Sequence, residues 1–220
     1  MKNYFEFLKS CPLFSNISHS DLSSILCCLD AKEKTYQKNE VVLLSGDPVN
    51  YVGVVISGSV KIVRDDVNGN QTIVGEVSQG EMFAESFACA EVFHSPVSII
   101  TIEKTQILLC DYRKVITTCS NSCVFHNQLI ENMLKIIANK NIYLNQKINI
   151  ISKRTLREKI VTYLEYVGKG EKQFTINLNR EEMANYLCAD RSALSNELSK
   201  MQKDGLIRYS KNSFEIIVAK

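Results

Sequence analysis

The segment from Asn179 to Arg208 constrains the fold of this chain more than any other. Its pattern predicts two short amphipathic helices joined by a turn at Cys188–Asp190. Asn179 and Glu182 have the spacing of a capping box at the start of the first helix, and Asp190 is placed to cap the second. The inward-facing residues recur at spacings of three and four: Met183, Ala184, Leu187, Leu194, Leu198 and Met201. The segment therefore predicts a helix-turn-helix.

The outward face of the second predicted helix carries side chains that suit base edges: Arg191, Ser192, Ser195, Asn196 and Ser199. Arginine makes bidentate hydrogen bonds to guanine and asparagine makes them to adenine, while hydroxyl groups bond to bases or to phosphate. A helical hairpin with an ordinary solvated face would fit the same two helices. The residues that follow favour DNA binding, because strands starting at Leu206 and Phe214, with Lys211 in the turn between them, predict a winged helix.

Charge and apolar content narrow the class of protein. Residues 150–220 hold 13 basic against 9 acidic residues, and residues 1–149 hold 13 against 15, so the small net charge of +2 is concentrated at the C-terminal end. No apolar run approaches the roughly 18 residues of a membrane span, and the first ten residues do not form a signal peptide. We expect no membrane association and a cytoplasmic location, in which the eight cysteines are thiols rather than disulfides.

Short Val- and Ile-rich runs occupy the region from Lys32 to Asp111. They are separated by turn signals such as Gly46-Asp47-Pro48, Ser57-Gly58 and Asn68-Gly69-Asn70. The clearest strand runs are 52–63, 71–77 and 96–102. This texture predicts an antiparallel barrel or roll, which the helical residues 2–30 would cap.

Beyond Tyr112 the turn signals give way to one long helix with a heptad pattern. Apolar residues and two asparagines, Asn127 and Asn141, repeat at spacings of four and three. The predicted dimer seam within this repeat is Ile130, Leu134, Ile137, Asn141, Leu144 and Ile148. The pattern begins at Cys123 and ends at Ile151. A long helix packed on its own barrel would explain part of it, but a polar residue at one a position favours a parallel two-stranded coil in which Asn141 fixes the register.

These segments predict an α+β chain with three parts. An effector-sensing β-roll with its N-terminal helix covers 1–111, a dimerisation helix covers 112–151, and a winged helix-turn-helix domain covers 152–220. The last part opens with a helix that Ser152 would cap and that Gly168-Lys169-Gly170 would end.

Barrel, long helix and winged helix in this order resemble the family of the cyclic AMP receptor protein and the fumarate and nitrate reduction regulator (CRP/FNR). The most specific segments are ADRSALSNELSKMQKDGLI, GDPVNYVGVVISGSVKI and GEMFAESF. The resemblance implies a cyclic-nucleotide-binding-like roll of the double-stranded β-helix type in a homodimeric transcription regulator without enzymatic activity. Such a regulator would bind double-stranded DNA at an inverted repeat, RNA polymerase and a small-molecule effector.

Carried over by motif, the resemblance assigns residues to two sites. Base reading falls to Arg191, Ser192, Ser195 and Asn196, and phosphate contacts fall to Asn179, Arg180 and Lys211. The effector pocket would be bounded by Glu85 and Ser95 together with Asn141, Leu144 and Asn145 of the long helix. Cys188 stands where the family often has glycine, which places a residue with a side chain at a position that favours positive φ.

A second departure concerns the effector. Cyclic-nucleotide binders of the family have a Gly-Glu pair and, about ten residues later, an Arg-Ser pair that holds the cyclic phosphate. The matching pairs here are Ala84-Glu85 and Ser95-Pro96. The arginine is missing, Pro96 has no backbone N–H, and the neighbouring His94 cannot make a bidentate bond. We therefore predict that the effector is not cyclic AMP.

Other interpretations remain open at this stage. A cyclic-nucleotide regulatory module is one alternative, and a redox or iron–sulfur sensor is another, although Cys11, Cys27 and Cys28 lack tight ligand spacing and Cys119 with Cys123 forms a single pair. His94 or His126 as a haem ligand is weaker still. An enzyme is disfavoured because the phosphate-loop, dinucleotide, zinc-protease and nucleophile-elbow motifs are absent. We predict no cofactor and no metal.

Overall fold

The computed structural model describes residues 5–65, 71–117 and 124–217, and these fall into two compact units, Met1–Asn139 and Lys140–Lys220. The units are considered separately. The predicted turn at Asn68–Asn70 and the cysteines 119 and 123 lie outside the described residues. The predicted domain limits at 111 and 151 stay predictions.

The first unit opens with short helices, α1 (Phe5–Ser10), a 3₁₀ turn (Pro12–Phe14) and α2 (His19–Cys28). Ser18 caps α2, since its hydroxyl accepts a hydrogen bond from the backbone N–H of Asp21 at 3.2 Å. This N-terminal helical segment shares one core with the strands. The buried residues that it contributes include Leu13, Phe14, Leu22, Ile25 and Leu29. The predicted helical cap is therefore present.

In the part of the chain that the structure describes, eight antiparallel strands form the predicted roll. They are β1 (Lys32–Tyr36), β2 (Val41–Leu43), β3 (Tyr51–Ser57), β4 (Ser59–Asp65), β5 (Gln71–Ser78), β6 (Met82–Phe83), β7 (Ser98–Thr101) and β8 (Thr105–Asp111). Two four-stranded sheets result, with orders β1-β8-β3-β6 and β2-β7-β4-β5. Sequential strands alternate between the two sheets except for β4 and β5, which pair with each other in one sheet, and the whole forms a double-sheet roll.

The predicted strand run 52–63 is two strands rather than one. At Gly58 the chain leaves the sheet of β3 and enters the sheet of β4. Gly58 has φ +81°, and a Cβ there would lie 2.6 Å from the Thr105 hydroxyl and 2.7 Å from the carbonyl of Lys104. Only glycine fits this crossing, because a side chain would meet both strain and the neighbouring backbone.

Three helices complete the strand region and lead out of it: α3 (Glu85–Cys89), α4 (Tyr112–Ile116) and α5 (Val124–Ile151). The first half of α5 packs on the core of the first unit through Leu129 and Met133. Asn132 ties it to the N-terminal cap, because its buried Nδ2 donates to the carbonyls of Leu13 at 2.9 Å and Ser15 at 2.7 Å.

The second unit contains the end of α5, from Lys140 to Ile151, and a winged helix-turn-helix. Its elements are α6 (Leu156–Gly168), β9 (Gln173–Thr175), α7 (Arg180–Tyr186), α8 (Arg191–Lys203), β10 (Ile207–Ser210) and β11 (Ser213–Ile216). The strands form one sheet of order β10-β11-β9. The core joins all three helices to this sheet, with Ile160, Leu164, Met183, Leu194, Leu198, Met201 and Phe214 among its buried members.

Two predicted caps differ from the structure. The cap of α6 is Thr155, not Ser152, and Thr155 forms a full capping box with Glu158. Ser152 still belongs to the end of α5, since its N–H donates to the carbonyl of Ile148 at 2.9 Å. Asp190 is the N-cap residue of α8 by position, but its side chain makes no capping hydrogen bond. The end of α6 is as predicted, with Lys169 at φ +49° as its C-cap.

Candidate nucleic-acid interface and sensor site

The first helix of the helix-turn-helix, α7, has the predicted capping box. Asn179 Oδ1 accepts a hydrogen bond from the N–H of Glu182 at 3.0 Å, and Glu182 Oε2 accepts one from the N–H of Asn179 at 2.7 Å. Cys188 has φ +51°, which costs on the order of 1 kcal/mol for a residue with a side chain. Hydrogen bonds from Cys188 N–H to Asn185 O and from Ala189 N–H to Ala184 O hold the turn despite this strain.

Helix α8 separates a buried face from an exposed one. Leu194, Leu198 and Met201 are fully buried, whereas the predicted reading face is exposed apart from a half-buried Ser195. Ser195 Oγ donates to the carbonyl of Arg191 at 3.0 Å, so its hydroxyl proton is bonded within the helix. The longest side chains on this face are those of Arg191 and Asn196, and both residues are exposed.

Arg191 lies at the N-terminal end of α8 beside an acidic residue of α7. Its Nε is 3.8 Å from Glu181 Oε2, and both side chains are about two-thirds exposed, at 67% and 65%. An ion pair this long and this open to water contributes little to stability. Arg191 can therefore exchange this partner for a base edge at small cost.

The wing is attached to the C-terminal half of α8. The N–H of Tyr209 donates to Gln202 Oε1 at 3.2 Å, and the hydroxyl groups of Tyr209 and Ser199 lie 3.3 Å apart. Lys211, the predicted phosphate contact, is exposed in the turn between β10 and β11, with φ +51°.

The second site predicted from the sequence begins at the start of α3. Ala84 adopts φ +64° where cyclic-nucleotide binders have glycine, so the backbone keeps its left-handed turn. Glu85 follows as the first residue of α3 and is 3% exposed, with Oε1 3.4 Å from the hydroxyl of Ser86. The glutamate of the cassette is therefore buried at the helix N-terminus.

Ser95, the other sensor residue in this unit, has its hydrogen-bonding groups occupied. Its N–H donates to the carbonyl of Asp47 at 2.9 Å, and its carbonyl accepts from the N–H of Gly46 at 2.8 Å. Its hydroxyl donates to the carbonyl of Val97 at 2.6 Å, and its side chain is buried. Since Pro96 has no N–H, this segment directs neither a cation nor an available amide toward a phosphate.

Histidines 94 and 126 are both bonded to backbone carbonyls. His94 Nδ1 lies 2.9 Å from Gly46 O, and His126 Nε2 lies 3.3 Å from Lys114 O. His94 is exposed and His126 is buried. Both distances fit a donated N–H, which places the ring proton on the bonded nitrogen.

The remaining predicted pocket residues belong to the second unit. Asn141, Leu144 and Asn145 are exposed on α5, and Asn145 Nδ2 donates to Asn141 Oδ1 at 2.7 Å. Glu85 and Ser95 belong to the first unit. The effector pocket as a set of five residues stays a prediction.

The predicted seam is one face of the 28-residue helix α5. Leu134, Leu144 and Ile148 are 63%, 55% and 58% exposed. Ile130 is half-buried, and Ile137 packs against the core of the first unit. The sequence interpretation that part of the stripe lies on the helix's own roll therefore applies to Ile137, while Leu134, Leu144 and Ile148 form an exposed apolar face.

The cysteines in the described ranges are scattered. Burial raises the pKa of the Cys11 thiol to about 11 and that of Cys110 to about 12. Cys27, Cys89 and Cys188 are exposed and Cys28 is half-buried. Within residues 5–65, 71–117 and 124–217, no three His, Cys, Asp or Glu side chains are grouped as metal ligands. No helix in the same ranges has the length and apolar character that crossing a bilayer requires.

Family models match both units. A cyclic nucleotide-binding domain matches residues 33–122, and a Crp-like helix-turn-helix domain matches residues 158–219. The chain belongs to the CRP/FNR family. Together the two matches include the cassette of Glu85 and Ser95 as well as the recognition helix α8.

The curated relatives include several transcriptional activators. The chain is 26% identical to the transcriptional activator protein anr of Pseudomonas aeruginosa, over 78% of this chain and 70% of the relative. It is 22% identical to the transcriptional activator protein FnrL of Cereibacter sphaeroides, over 79% of this chain and 71% of the relative. It is also 22% identical to the electron transport regulator A of Shewanella oneidensis, over 85% and 75%.

Solved structures of the CRP/FNR family share the fold. The c-di-GMP-responsive global regulator CLP of Xanthomonas campestris matches with a TM-score of 0.58 and 18% identity, over 92% of this chain and 100% of that one. A CooA variant from Carboxydothermus hydrogenoformans matches with a TM-score of 0.57 and 20% identity, over 87% and 86%. DNR of Pseudomonas aeruginosa matches with a TM-score of 0.51 and 17% identity, over 99% of this chain and 95% of that one.

Two basic residues of this CRP/FNR-family protein have surroundings that sequence reasoning missed. Arg157 of α6 donates to Glu197 of the recognition helix, and Arg180 donates to the backbone of the wing. Both contacts join residues more than thirty positions apart, so no local spacing could have indicated them. A charged residue at a half-buried helix position was the single available signal.

Proposed function

We propose that this CRP/FNR-family protein is a homodimeric regulator of transcription that reads an inverted repeat in DNA and responds to an effector other than a cyclic nucleotide. The observation that carries the proposal is α8, which buries Leu194, Leu198 and Met201 and exposes Arg191, Ser192 and Asn196. A helix anchored in this way can enter the major groove with its polar face toward the bases.

The DNA contacts divide into two groups. Arg191, Ser192, Ser195 and Asn196 read base edges, with Arg191 suited to guanine and Asn196 to adenine. Lys211 in the wing and Asn179 at the cap of α7 fix the register on the phosphate backbone without specifying sequence. The sequence of the site is therefore set by α8.

The homodimer is supported by the exposed apolar face of α5. Leu134, Leu144 and Ile148 would be covered by the same residues of a second copy, in a parallel coil with Asn141 at one a position. Two recognition helices related by a two-fold axis match a palindromic site with half-site centres about 34 Å apart. As a regulator of transcription the protein would act on RNA polymerase at such sites.

An effector other than cyclic AMP is supported by Ser95 and Pro96. A cyclic phosphate in a closed pocket needs a charge-assisted partner, and burying it without one costs several kcal/mol. The backbone N–H, the carbonyl and the hydroxyl of Ser95 are already hydrogen-bonded within the roll. The next residue, Pro96, has no N–H to donate to a phosphate.

Selection of bound DNA from a random pool, with and without a cell extract, tests the DNA-binding part. An inverted repeat with half-sites one helical turn apart is expected. Enrichment of a single half-site, or of no sequence at all under either condition, would contradict the proposal.

Calorimetry with cyclic AMP and cyclic GMP tests the sensor part. No heat of binding is expected at micromolar concentrations. Micromolar binding that is lost in Glu85→Ala would show that the cassette holds a cyclic nucleotide after all, and the effector part of the proposal would then be wrong.

A further inference from the structure

Arg180, the first residue of α7, lies against the wing rather than extending into solvent. Its Nη2 donates to the carbonyl oxygen of Lys211 at 2.9 Å. Its guanidinium carbon is 5.0 Å from the ring centre of Tyr209 and 5.2 Å from that of Phe214. The side chain therefore contacts both strands of the wing and the turn between them.

The two rings that receive Arg180 form a platform. The ring centres of Tyr209 and Phe214 are 5.7 Å apart with an interplanar angle of 21°, and Phe214 is 1% exposed in the core of the second unit. A guanidinium is planar and weakly hydrated, so it stacks on aromatic faces and still donates in its plane. Burial also lowers the pKa of Arg180, as expected for a cation partly removed from water.

The hydrogen bond is made to the residue that the proposed function assigns to phosphate. Lys211 has φ +51°, a left-handed conformation that costs a residue with a side chain on the order of 1 kcal/mol. The hydrogen bond from Arg180 to the Lys211 carbonyl fixes the orientation of the peptide unit between Lys211 and Asn212, and so favours this conformation of the turn. Arg180 thus influences where Lys211 can place its ammonium group.

We propose that Arg180 is a positioning residue that holds the wing turn, and with it Lys211, against the first helix of the helix-turn-helix, and that it does not itself contact phosphate. This differs from the phosphate contact that the family resemblance implies. It rests on the proposed DNA-binding function. The face of the guanidinium is occupied by the rings, and one edge is occupied by the carbonyl of Lys211.

The two roles make opposite predictions for a change that keeps the charge. A lysine at 180 could still bind phosphate as a point charge, but it could neither stack on Tyr209 nor keep the same in-plane hydrogen bond. Arg180→Lys is therefore expected to weaken binding to the selected site about three- to tenfold, nearly as much as Arg180→Met.

A double-mutant cycle with Lys211 separates the roles further. Lys211→Ala is expected to lower the slope of log K against log salt by about one. If Arg180 acts through Lys211, Arg180→Met combined with Lys211→Ala binds no more weakly than Lys211→Ala alone, and the slope does not fall again. A further loss with a second fall of about one in the slope would identify Arg180 as an independent phosphate contact and overturn the proposal.

A measurement without DNA keeps the test independent of the proposed function. In the amide spectrum of the full chain, the signal of Asn212, whose N–H belongs to the peptide unit carrying the Lys211 carbonyl, is expected to shift in Arg180→Lys. Arg208→Lys is the matched control, because Arg208 is 74% exposed on β10 and its ion pair with Glu215 is long at 3.5 Å.

The outcomes are distinguishable. An unchanged Asn212 signal in Arg180→Lys, or wild-type affinity in that variant, would overturn the positioning role. Failure of the wild-type protein to bind any selected DNA would instead refute the proposed function, while the spectrum would still report on the contact between Arg180 and the wing.

Discussion

Arg157 Nε donates a hydrogen bond to Glu197 Oε1 at 2.6 Å, which joins the first helix of the DNA-binding unit to the middle of the recognition helix. The Nη1 of the same arginine lies 2.7 Å from Asp204 Oδ2 at the C-cap of α8. Glu197 and Asp204 are two helical turns apart and share one side of α8. One guanidinium therefore contacts two points on the same side of the helix that is proposed to read DNA, which restrains the rotation of that helix.

Replacing Arg157 should misplace the reading face without removing it. In Arg157→Met we expect affinity for the selected site to fall about two- to fivefold, because an ion-pair network near the surface contributes modestly. The ratio of specific to random DNA binding should fall with it. Titration of both DNAs measures this, and Arg154→Met, with the same charge change just before the cap of α6, is the control. Equal losses in both variants would mean that charge alone matters.

Asn132 offers a test in the first unit. It is 4% exposed, donates to the carbonyls of Leu13 and Ser15, and accepts from Gln128 Nε2 at 3.0 Å. Asn132→Leu would leave these carbonyls without their donor, so the free energy of unfolding should fall by about 2–3 kcal/mol. Urea unfolding measures the change. Asn139→Leu, on the exposed side of the same helix, should stay within about 0.5 kcal/mol of wild type.

Local rules predicted the elements of this protein well, because they act over a few residues. The capping box of Asn179 and Glu182, the buried stripe of α8 and the stop at Lys169 all depend on spacings of three or four positions. The cap of α6 was misplaced at Ser152 although the same rule points to Thr155. Thr155 and Glu158 have the spacing of a capping box, whereas Ser152 has a threonine three residues further on.

Contacts between distant residues could not be predicted. The sequence marks a turn signal at Ser57-Gly58 within the run 52–63, but it does not reveal that the two halves of the run join different sheets. The roles of Arg157 and Arg180 depend on partners 40 and 31 positions away. The family resemblance implied a phosphate contact for Arg180. The stacking of Arg180 on Tyr209 and Phe214 depends on how α7 packs against the wing, which the sequence does not show.

The exposed face of α5 gives a prediction for assembly. Leu134 and Ile148 are a positions two heptads apart, and both are more than half exposed in the single chain. In Leu134→Asp with Ile148→Asp, each layer of a parallel coil would hold two carboxylates in an apolar seam, at a cost of several kcal/mol. Sedimentation should show a dimer for the wild type and a monomer for this variant.

Ile142→Asp is the matched control for the assembly test. Ile142 is 65% exposed on the same helix, but it lies about 80° around the helix from Leu134 and outside the seam. It should remain dimeric. Dissociation of this variant, or an intact dimer in the double variant, would reject Leu134 and Ile148 as the interface.

Buried thiols predict the response of the first unit to alkaline pH. Burial raises the pKa of Cys110 from 9.0 to about 12, so the unfolded chain loses this proton at a lower pH than the folded one. The stability that the protonated Cys110 thiol gives to the folded state is complete below about pH 9 and is lost as the pH rises toward 12. Between these values it should decrease by up to about 1.4 kcal/mol for each pH unit. Urea unfolding under reducing conditions measures this slope.

Cys110→Val is the comparison for the alkaline series, because valine is similar in size and does not titrate. Its slope of unfolding free energy against pH should be shallower than that of wild type above pH 9. Identical slopes would mean that other groups account for the alkaline loss of stability.

Arg191 provides the decisive test of the reading face. Its guanidinium extends from the exposed end of α8, and its long ion pair with Glu181 leaves it able to fork onto a guanine. Arg191→Ala should then cost about 1–3 kcal/mol on the selected site and little on random DNA, because a bidentate base contact is lost only where its base is present. Lys211→Ala should weaken binding to both DNAs alike, since a phosphate is present in every sequence. Titrations of both variants on both DNAs at two salt concentrations separate these patterns. Equal weakening by Arg191→Ala on selected and random DNA would make Arg191 a phosphate contact, and the base-reading role would then pass to Asn196 and its neighbours on the same face.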